Sequence, residues 1–206
     1  MTDARPPALL AVRALHRSGL EPASFEIAAG ETVALLGPSG AGKTLLLRAI
    51  ADLDPNLGEV FLAGDSRAAM AAPEWRRRVG YLPSEPGWWA ERAGAHFADP
   101  GAARALLAPL WLPADILDKP VARLSTGERQ RLALIRLLVN APRVLLLDEP
   151  TASLDARATA AAEALLDDRR KAGAALLIVS HDEAQIRRVA GRRLLIDSGR
   201  VTEGAP

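Results

Sequence analysis

The amino-acid sequence predicts an α/β protein with a mainly parallel central sheet. Three apolar runs of the buried-strand type, ETVALLG (31–37), VLLLDEP (144–150) and ALLIVSHD (175–182), are separated by stretches with helical spacing. This alternation is typical of parallel strands joined by crossover helices. Between 86 and 141 no such run occurs, and short helical pieces are separated by Pro100, Pro109, Pro113 and Pro120. We therefore expect a small helical lobe inserted between two strands.

The remaining elements follow from local patterns. KTLLLRAIADL (43–53) predicts a helix directly after the first strand, and VGYLP (79–83) predicts a further strand. GEVFLAG (58–64) is bounded by glycines, which favours an edge strand or one arm of a hairpin. ARATAAAEALLDDRRKAG predicts a crossover helix that ends at Gly173, because glycine is common just past a helix C-terminus.

The size and composition of the chain indicate one domain. With 206 residues, 49% of them hydrophobic, the chain can form one compact core. We interpret residues 1–206 as a single domain, in which 1–85 and 142–206 form the α/β core and 86–141 form the helical subdomain.

Charge and cysteine content exclude several classes of function. Lys and Arg number 26 against 25 Asp and Glu, so the net charge of +1 creates no field that attracts nucleic acid or anionic lipid. The chain has no cysteine, which excludes disulfides and thiolate metal sites. No segment approaches the roughly 18 apolar residues of a membrane span, and the N-terminus lacks a signal-peptide pattern. We expect a soluble, cytoplasmic protein.

The segment GPSGAGKT (37–44) fits the phosphate-loop pattern G-x-x-x-x-G-K-[ST] and stands between a predicted strand and a predicted helix. Backbone N–H groups at the start of that helix can surround phosphate oxygens. We expect Lys43 to bridge the β- and γ-phosphates and Thr44 to offer its hydroxyl to Mg²⁺. The pattern predicts a P-loop NTPase whose ATP-binding residues are Gly37, Pro38, Ser39, Gly40, Ala41, Gly42, Lys43 and Thr44.

Two acidic residues end the apolar run VLLLDE (144–149). A buried parallel strand carries the residues at its end to the edge of the sheet where the phosphate loop also lies. We expect Asp148 to contact Mg²⁺ directly or from the next shell of groups, and Glu149 to polarise the attacking water.

The segment LSTGERQ (124–130) resembles the LSGGQ signature of ATP-binding cassette (ABC) ATPases. The order of phosphate loop, signature, acidic strand, TASLD (151–155) and VSHD (179–182) is also the order of that family, and the resemblance runs from about Val33 to Asp197. It implies a Mg²⁺-dependent ATPase of the short stand-alone type, a subunit that powers a separate membrane permease. It also implies an ABC-type nucleotide-binding domain with an N-terminal antiparallel β subdomain.

The resemblance further implies a dimer in which each ATP lies between the phosphate loop of one subunit and the signature of the other. Ser125 and the backbone of Gly127, at the start of a helix beginning near Glu128, would then cap the γ-phosphate. Asp155 would lie at the dimer seam, and His181 would contact the γ-phosphate. The expected catalytic residues are Lys43, Glu149 and His181.

The sequence departs from the family pattern at the signature and at the adenine site. Thr126 replaces a glycine of the signature, and we expect this change to be tolerated. The N-terminal segment offers no tyrosine to stack on adenine, and Phe25 belongs to a predicted strand. His16 or Arg17 could stack instead through their planar groups, although both could also be solvated loop side chains.

A third departure lies just after VGYLP. The family has a glutamine here that contacts Mg²⁺ and the attacking water, whereas position 84 is serine. The oxygen of Ser84 lies about 2.5 Å nearer the backbone than that of a glutamine, so Ser84 could reach the metal only through a water or a shift of the backbone. Our hypothesis is that Glu85 supplies the oxygen; the alternative is a solvated acid with a water completing the site.

Two adjacent tryptophans follow. In the family, a groove beside this loop receives a coupling helix of the membrane subunit. We expect Trp88 and Trp89 to lie on a helix and point in different directions, one anchoring the lobe and one lining the groove. The alternative is that both are buried in the core of the lobe.

The expected partners are a transmembrane permease and a second copy of the chain or a paired ABC subunit, and the expected cofactors are ATP and Mg²⁺. This implies a location on the inner face of the cell membrane, with no nucleic acid bound. The alternatives are a soluble ABC ATPase acting on nucleic acid or ribosomes, and a regulatory subunit with little turnover. The chain has no zinc-binding cysteines or heptads, and it retains Lys43, Glu149 and His181, which disfavours both alternatives.

Overall fold

The computed structural model describes residues 7–204, and its strands form two sheets. The first sheet is antiparallel, with the order β2-β1-β4-β5. The antiparallel pairing of β4 with β5 makes the segment 58–64 one arm of a hairpin. This is one of the two arrangements predicted for it. The strands are β1 (Ala8–Arg17), β2 (Leu20–Ala28), β4 (Leu57–Leu62) and β5 (Asp65–Ser66).

The second sheet has the order β10-β9-β3-β8-β7-β6 and is parallel except for β10, which pairs antiparallel with β9 at one edge. The α/β class, the mainly parallel core and the N-terminal antiparallel sheet are thus confirmed. The strands are β3 (Thr32–Leu36), β6 (Val79–Leu82), β7 (Val144–Asp148), β8 (Ala175–Val179), β9 (Arg192–Asp197) and β10 (Arg200–Glu203).

Helices connect these strands and fill the interval between β6 and β7. The segment 86–141 contains α3, α4 and four short 3₁₀ turns but no strand, in agreement with the predicted helical lobe. The helix predicted over 43–53 ends earlier, at Ile50. Its last carbonyls accept hydrogen bonds from side chains outside the helix. The helices are α1 (Lys43–Ile50), α2 (Ala72–Arg78), α3 (Pro100–Ala105), α4 (Thr126–Leu138), α5 (Ala156–Lys171) and α6 (Glu183–Val189), and the 3₁₀ turns are Arg67–Ala69, Ala93–His96, Ala108–Leu110, Ile116–Asp118 and Val121–Arg123.

The two faces of the parallel sheet belong to two hydrophobic clusters. Successive residues of a strand point to opposite faces, and β7 shows this clearly. In the first cluster Leu146 packs with α1 and the antiparallel sheet. In the second hydrophobic cluster Leu145 and Leu147 pack with the helical segment. The helical segment therefore shares its core with the sheet. The division into 1–85, 86–141 and 142–206 stays a prediction, and its two outer limits lie outside the described residues.

Side chains hold the end of α1, the helix that begins with the phosphate-loop lysine. Trp75 is fully buried and its Nε1 donates to the carbonyl of Ile50 at 2.9 Å. Arg67 donates from Nη1 to the carbonyl of Ala49 at 2.8 Å. The last carbonyls of a helix lack partners within the helix, so these bonds satisfy them and place a positive charge at its negative end.

Candidate functional site

The phosphate loop is shaped by close contact with β9. A Cβ atom on Gly37 would lie 2.1 Å from the carbonyl oxygen of Ile196, so only glycine fits there. Gly42 has φ 107° and stands directly before α1, in a conformation that L-residues rarely adopt. The loop carries the chain from β3 into α1 with the helix N-terminus at the sheet edge.

The ammonium group of Lys43 lies across this loop. Nζ donates to the carbonyl of Gly37 at 2.7 Å and to that of Pro38 at 2.9 Å. The lysine therefore reaches back over the residues that are expected to surround phosphate.

Asp148 connects the phosphate-loop helix to two strands. It is buried at the end of β7, and its Oδ2 accepts a hydrogen bond of 2.7 Å from Thr44 Oγ1 at the start of α1. The same oxygen accepts a bond of 3.3 Å from the hydroxyl of Tyr81 on β6. Burial, followed by the charge of Asp148, raises the pKa of Tyr81, so its hydroxyl remains a donor at neutral pH.

Glu149 and His181 face each other at the same edge. Glu149 has φ 51°, a left-handed conformation that is unusual for a non-glycine residue and typical of constrained sites. Its Oε1 lies 3.4 Å from Nε2 of His181, whose side chain is 65% exposed. Burial raises the pKa of Glu149, and the neighbouring histidine acts in the opposite direction. The carboxylate is thus held in a partly dry position, as suits a general base.

A buried polar network fixes the segments that follow these two residues. Gln185 on α6 donates to Thr151 Oγ1 at 2.8 Å and to Glu163 Oε1 at 3.0 Å. Arg188 donates to the same Glu163 oxygen at 2.9 Å. The chain after Glu149 and the helix after His181 are therefore tied together through α5.

The signature segment begins α4. Ser125 is the N-cap of this helix: its Oγ accepts from the N–H of Glu128, while Oε2 of Glu128 accepts from the N–H of Ser125. This reciprocal pair is a capping box. The expected start near Glu128 is wrong by two residues, because the cap places Thr126 as the first helical residue. Gly127 lies against the chain after β7, where an added Cβ would be 3.0 Å from the carbonyl of Ser153.

Two predicted residues of the signature and dimer-seam regions also have local contacts. Thr126 is exposed, and its Oγ1 accepts a bond of 3.3 Å from Arg129, so its side chain does not crowd the start of α4. Asp155 is the N-cap of α5 and accepts from the N–H of Ala158 at 2.8 Å. Its expected position at a dimer seam stays a prediction.

The two candidates for adenine stacking differ in their freedom to move. Arg17 donates from Nη1 to Asp54 at 2.5 Å, and Asp54 also binds Arg48. His16 is partly exposed at the end of β1, and its Nδ1 lies 2.8 Å from the carbonyl of Ala14. The ion pair holds the guanidinium of Arg17, which favours His16 of the two.

Both candidates for the missing glutamine contact are exposed. Ser84 and Glu85 follow β6 in a bend, and neither has a hydrogen bond or ion pair to another residue of 7–204. The structure does not bring them into contact with Thr44 or Asp148. The proximity of Tyr81 to Asp148 was not anticipated from the sequence.

The two tryptophans lie in irregular chain after β6, so the expected helix is wrong; Pro86 and Gly87 precede them and disfavour helix. Trp88 is partly buried against the second hydrophobic cluster, whereas Trp89 is 71% exposed. The alternative with both residues in the core is therefore wrong. The division into an anchoring residue and a groove-lining residue agrees with the observed burial.

Two residues that sequence reasoning missed hold this pair. The guanidinium of Arg136 lies 4.8 Å from the ring centroid of each tryptophan. Nε2 of His96 accepts from the N–H groups of Trp89 and Ala90 at 2.9 and 3.0 Å, which identifies it as the unprotonated ring nitrogen. Only the rarity of histidine, with three in the chain, could have drawn attention to His96.

A cavity of about 330 Å³ opens beside Trp89. Arginines, aromatic rings and aliphatic side chains line it, and its described lining includes no acidic residue. Its lining includes Tyr81, Trp89, Arg136 and Asn140.

The residues at the sheet edge fit a magnesium–triphosphate group. The hydroxyl of Thr44 and the carboxylate of Asp148 are oxygen ligands of the kind that Mg²⁺ prefers. Oε1 of Glu149 is buried and accepts no hydrogen bond from any residue of 7–204. A Cβ on Gly40 would meet no atom within 4 Å, so the loop has open space beside its backbone.

Comparison with known proteins agrees with this geometry. A family model described as ABC transporter matches residues 20–152. The chain belongs to the ABC transporter family. Its predicted function as an ATP-hydrolysing subunit of such a transporter is thereby confirmed, as is ATP binding.

Curated ABC proteins resemble most of the chain. The phosphate import ATP-binding protein PstB 2 of Natronomonas pharaonis is 35% identical, over 91% of this chain and 74% of its own length. The hemin import ATP-binding protein HmuV of Streptomyces coelicolor is 37% identical, over 92% of this chain and 73% of its own. These names describe cargoes of the relatives.

Solved ABC structures share the fold. An ATP-binding subunit of an ABC transporter superposes with a TM-score of 0.84 at 26% identity, covering 96% of this chain and 90% of that one. A dimeric ATP-binding cassette bound to ADP and phosphate has a TM-score of 0.80 at 24% identity, with 96% and 99% coverage. ABC subunits of this kind pair with transmembrane permeases and form dimers. None of the helices in residues 7–204 has the length and apolar character needed to cross a membrane.

Proposed function

We propose that this ABC subunit hydrolyses ATP with Mg²⁺ in a head-to-tail dimer on the inner face of a membrane, and that it drives a separate permease. One observation carries the proposal. The phosphate-loop lysine, the Thr44–Asp148 pair and the Glu149–His181 pair meet at one edge of the parallel sheet. A nucleotide-binding regulatory subunit with little turnover would not need the last pair.

At this edge each side chain has a distinct task. Lys43 would exchange its contacts with loop carbonyls for the β- and γ-phosphates, while the N–H groups at the start of α1 surround them. Thr44 and Asp148 would hold Mg²⁺, which supplies neutralisation of the charge on those phosphates. Glu149 would accept the proton of the attacking water, and His181 would donate to a γ-phosphate oxygen.

The second subunit would complete the site. Ser125 is exposed at the N-terminus of α4, the longest helix of the helical segment, so its hydroxyl and the N–H of Gly127 can face the phosphate of a partner. The capping box leaves this end of the helix ordered before any partner arrives. Asp155 would lie at the seam while it caps α5.

The permease would dock on the cavity beside Trp89. An exposed tryptophan at the mouth of a cavity is typical of an anchoring site for a partner. Because no nucleic acid is expected to bind and the net charge is near zero, the partner would be recognised through this local surface. Trp89→Ala is expected to abolish co-purification with the permease while leaving folding intact; capture equal to wild type would contradict the docking proposal.

The exposed acid Glu85 remains our candidate for replacing the missing glutamine, through a movement of the loop when a dimer forms. Glu85→Gln is expected to lower the rate of ATP hydrolysis, because a neutral amide binds Mg²⁺ or the water less strongly. Ser84→Gln in the same background is expected to recover part of the rate. An unchanged rate in Glu85→Gln would leave the acid without a role.

The central experiment compares phosphate release by wild type and Glu149→Gln in Mg²⁺ and in EDTA. We expect the variant to retain nucleotide binding and to lose at least about a hundredfold in rate, since general-base catalysis contributes about 10² to 10⁴. Glu59→Gln is the matched control, because Glu59 is exposed on β4 of the antiparallel sheet and takes no part in the network beside Glu149 and His181. Equal rates in wild type and Glu149→Gln would reject the mechanism.

A further inference from the structure

Tyr81 contacts both the acidic pair at the end of β7 and the cavity beside Trp89. It belongs to β6, whose register pairs it with Leu146 of β7, two residues before Asp148. Its hydroxyl donates to Oδ2 of Asp148 at 3.3 Å, and the residue also lines the cavity beside Trp89. Among the described residues that line this cavity, Tyr81 has a side-chain hydrogen bond to the acidic pair at the end of β7.

The contact is directed at a particular oxygen. Oδ2 of Asp148 accepts from Thr44 at 2.7 Å and from Tyr81 at 3.3 Å, so hydroxyls from two different elements hold the carboxylate. Thr44 belongs to the phosphate-loop helix, whereas Tyr81 belongs to the strand that leads to Ser84 and the tryptophans. The orientation of this carboxylate therefore depends on both segments.

No side chain of the segment just after Tyr81 takes over its contact with Asp148. This segment carries Ser84 and Glu85, which reach neither Thr44 nor Asp148. The connection that the family makes through a glutamine side chain is absent from that position. The phenol of Tyr81 instead makes a direct hydrogen bond from the lining of the cavity to Asp148.

We propose that Tyr81 is a positioning residue that links occupancy of the Trp89 cavity to the orientation of Asp148, and thereby to metal affinity. The inference rests on the proposed docking of the permease at this cavity. A partner that shifts the ring would lengthen or shorten the bond to Oδ2. By thermodynamic reciprocity, metal binding at Asp148 must then change the affinity of the cavity for its partner by the same factor.

The first test measures Mn²⁺ affinity by electron paramagnetic resonance, with a non-hydrolysable ATP analogue and the full chain. Tyr81→Phe keeps the ring and removes the hydroxyl. We expect the affinity for Mn²⁺ to fall about fivefold, as for the loss of one hydrogen bond of average strength, while affinity for the metal-free analogue stays within twofold. Asn140→Ala, which alters the same cavity without contacting Asp148, is the control and is expected to bind Mn²⁺ like wild type.

The second test requires no substitution at Tyr81. The chain contains one tyrosine, so a ¹³C label at the phenol Cζ gives a single resonance. We expect that resonance to move when Mg²⁺ is added to the analogue-bound protein, and the emission of Trp89, isolated by comparison with Trp89→Phe, to change in wild type but not in Tyr81→Phe. A stationary resonance overturns the proposal, and so does a Tyr81→Phe variant with wild-type Mn²⁺ affinity and Trp89 response.

These readouts separate the inference from the proposed function. Neither requires ATP hydrolysis or the permease. If Trp89→Ala still captures the permease but Mg²⁺ moves the tyrosine resonance, the docking proposal fails and the linkage stands. If capture is lost but the resonance is stationary, docking stands and the linkage is rejected.

Discussion

The phosphate loop and the segment Gly80–Trp89 border the same parallel sheet but are held by different means. The phosphate loop is positioned by backbone: Gly37 approaches β9 so closely that no side chain fits. The segment is positioned by side chains, with Arg136 stacked on Trp88 and Trp89 and His96 bonded to the backbone. The first arrangement tolerates no change at one position, whereas the second distributes its stability over several contacts.

A methyl group at each region gives the largest contrast. Gly37→Ala would place a Cβ 2.1 Å from a carbonyl oxygen, and we expect it to lower the free energy of unfolding by about 3 kcal/mol or more. Gly87→Ala is the control in the other region, since a Cβ there meets nothing within 4 Å, and we expect a change within about 0.5 kcal/mol. Urea denaturation measures both; similar losses would end the contrast.

The tryptophan pair tests how the second region divides its contacts. Trp88 packs against the second hydrophobic cluster, so Trp88→Ala is expected to lower the free energy of unfolding by about 2 to 3 kcal/mol. Trp89 is 71% exposed, and Trp89→Ala is expected to cost under about 1 kcal/mol. Urea denaturation of the two variants side by side checks the order. A larger loss for Trp89→Ala would show that the exposed ring carries the segment.

An ion pair at the C-terminal end of α1 shows whether charge also supports the helix that follows the phosphate loop. The hydrogen bond from Arg48, with help from Arg17, lowers the pKa of Asp54 from 3.8 to about 2. Because the pKa is lowered in the folded state, the stabilisation is complete above about pH 4 and is lost as the pH falls towards 2. With partial exposure taken into account, we expect Asp54→Asn to cost about 1 to 2 kcal/mol at pH 7.

Denaturation of wild type and Asp54→Asn from pH 7 to pH 2 measures this effect. The two unfolding free energies are expected to converge as the pH approaches 2. Asp167→Asn, at an exposed ion pair on α5, is the control and should change the denaturation midpoint little. A pH-independent difference between wild type and Asp54→Asn would mean that packing, and not charge, is responsible.

The signature helix offers the smallest expected effects. Ser125→Ala removes the capping box and is expected to lower the free energy of unfolding by about 1 kcal/mol. Thr126→Ala, one residue later, is expected to change it by less than about 0.5 kcal/mol, because its side chain is exposed. Thermal denaturation of both variants is the measurement. Equal losses would mean that the threonine is part of the cap.

Local patterns were enough to predict the phosphate loop and the strands β3, β7 and β8. The roles of the glycines, the lysine and the acidic pair depend on the local chain next to each of them. Their spacing in the sequence is therefore enough to predict their positions. The surroundings of Trp88 could not be predicted in this way. Arg136 lies 48 residues further along the chain, and no pattern near the tryptophans indicates that it stacks on them.

The environment of Ser84 shows the same limit. Reasoning by side-chain length pointed forward to Glu85, but the hydroxyl beside Asp148 comes from Tyr81, three residues back. Its reach depends on the pairing of β6 with β7, which is a tertiary property. The start of α4 was misplaced for a smaller reason, since the reciprocal bonds of Ser125 and Glu128 extend the helix towards its N-terminus.

The hydrogen bonds of Lys43 bear on the heat and entropy of nucleotide binding. Its ammonium already bonds two carbonyls of the loop, so a phosphate arriving there replaces existing partners of the lysine. Ordering a free lysine on binding would cost about 0.5 to 1.5 kcal/mol in side-chain entropy. Because Lys43 is already ordered by these two bonds in the folded protein, much of this entropy is lost before the nucleotide binds. Calorimetry is therefore expected to record a modest enthalpy from the lysine and a small entropy penalty from the loop.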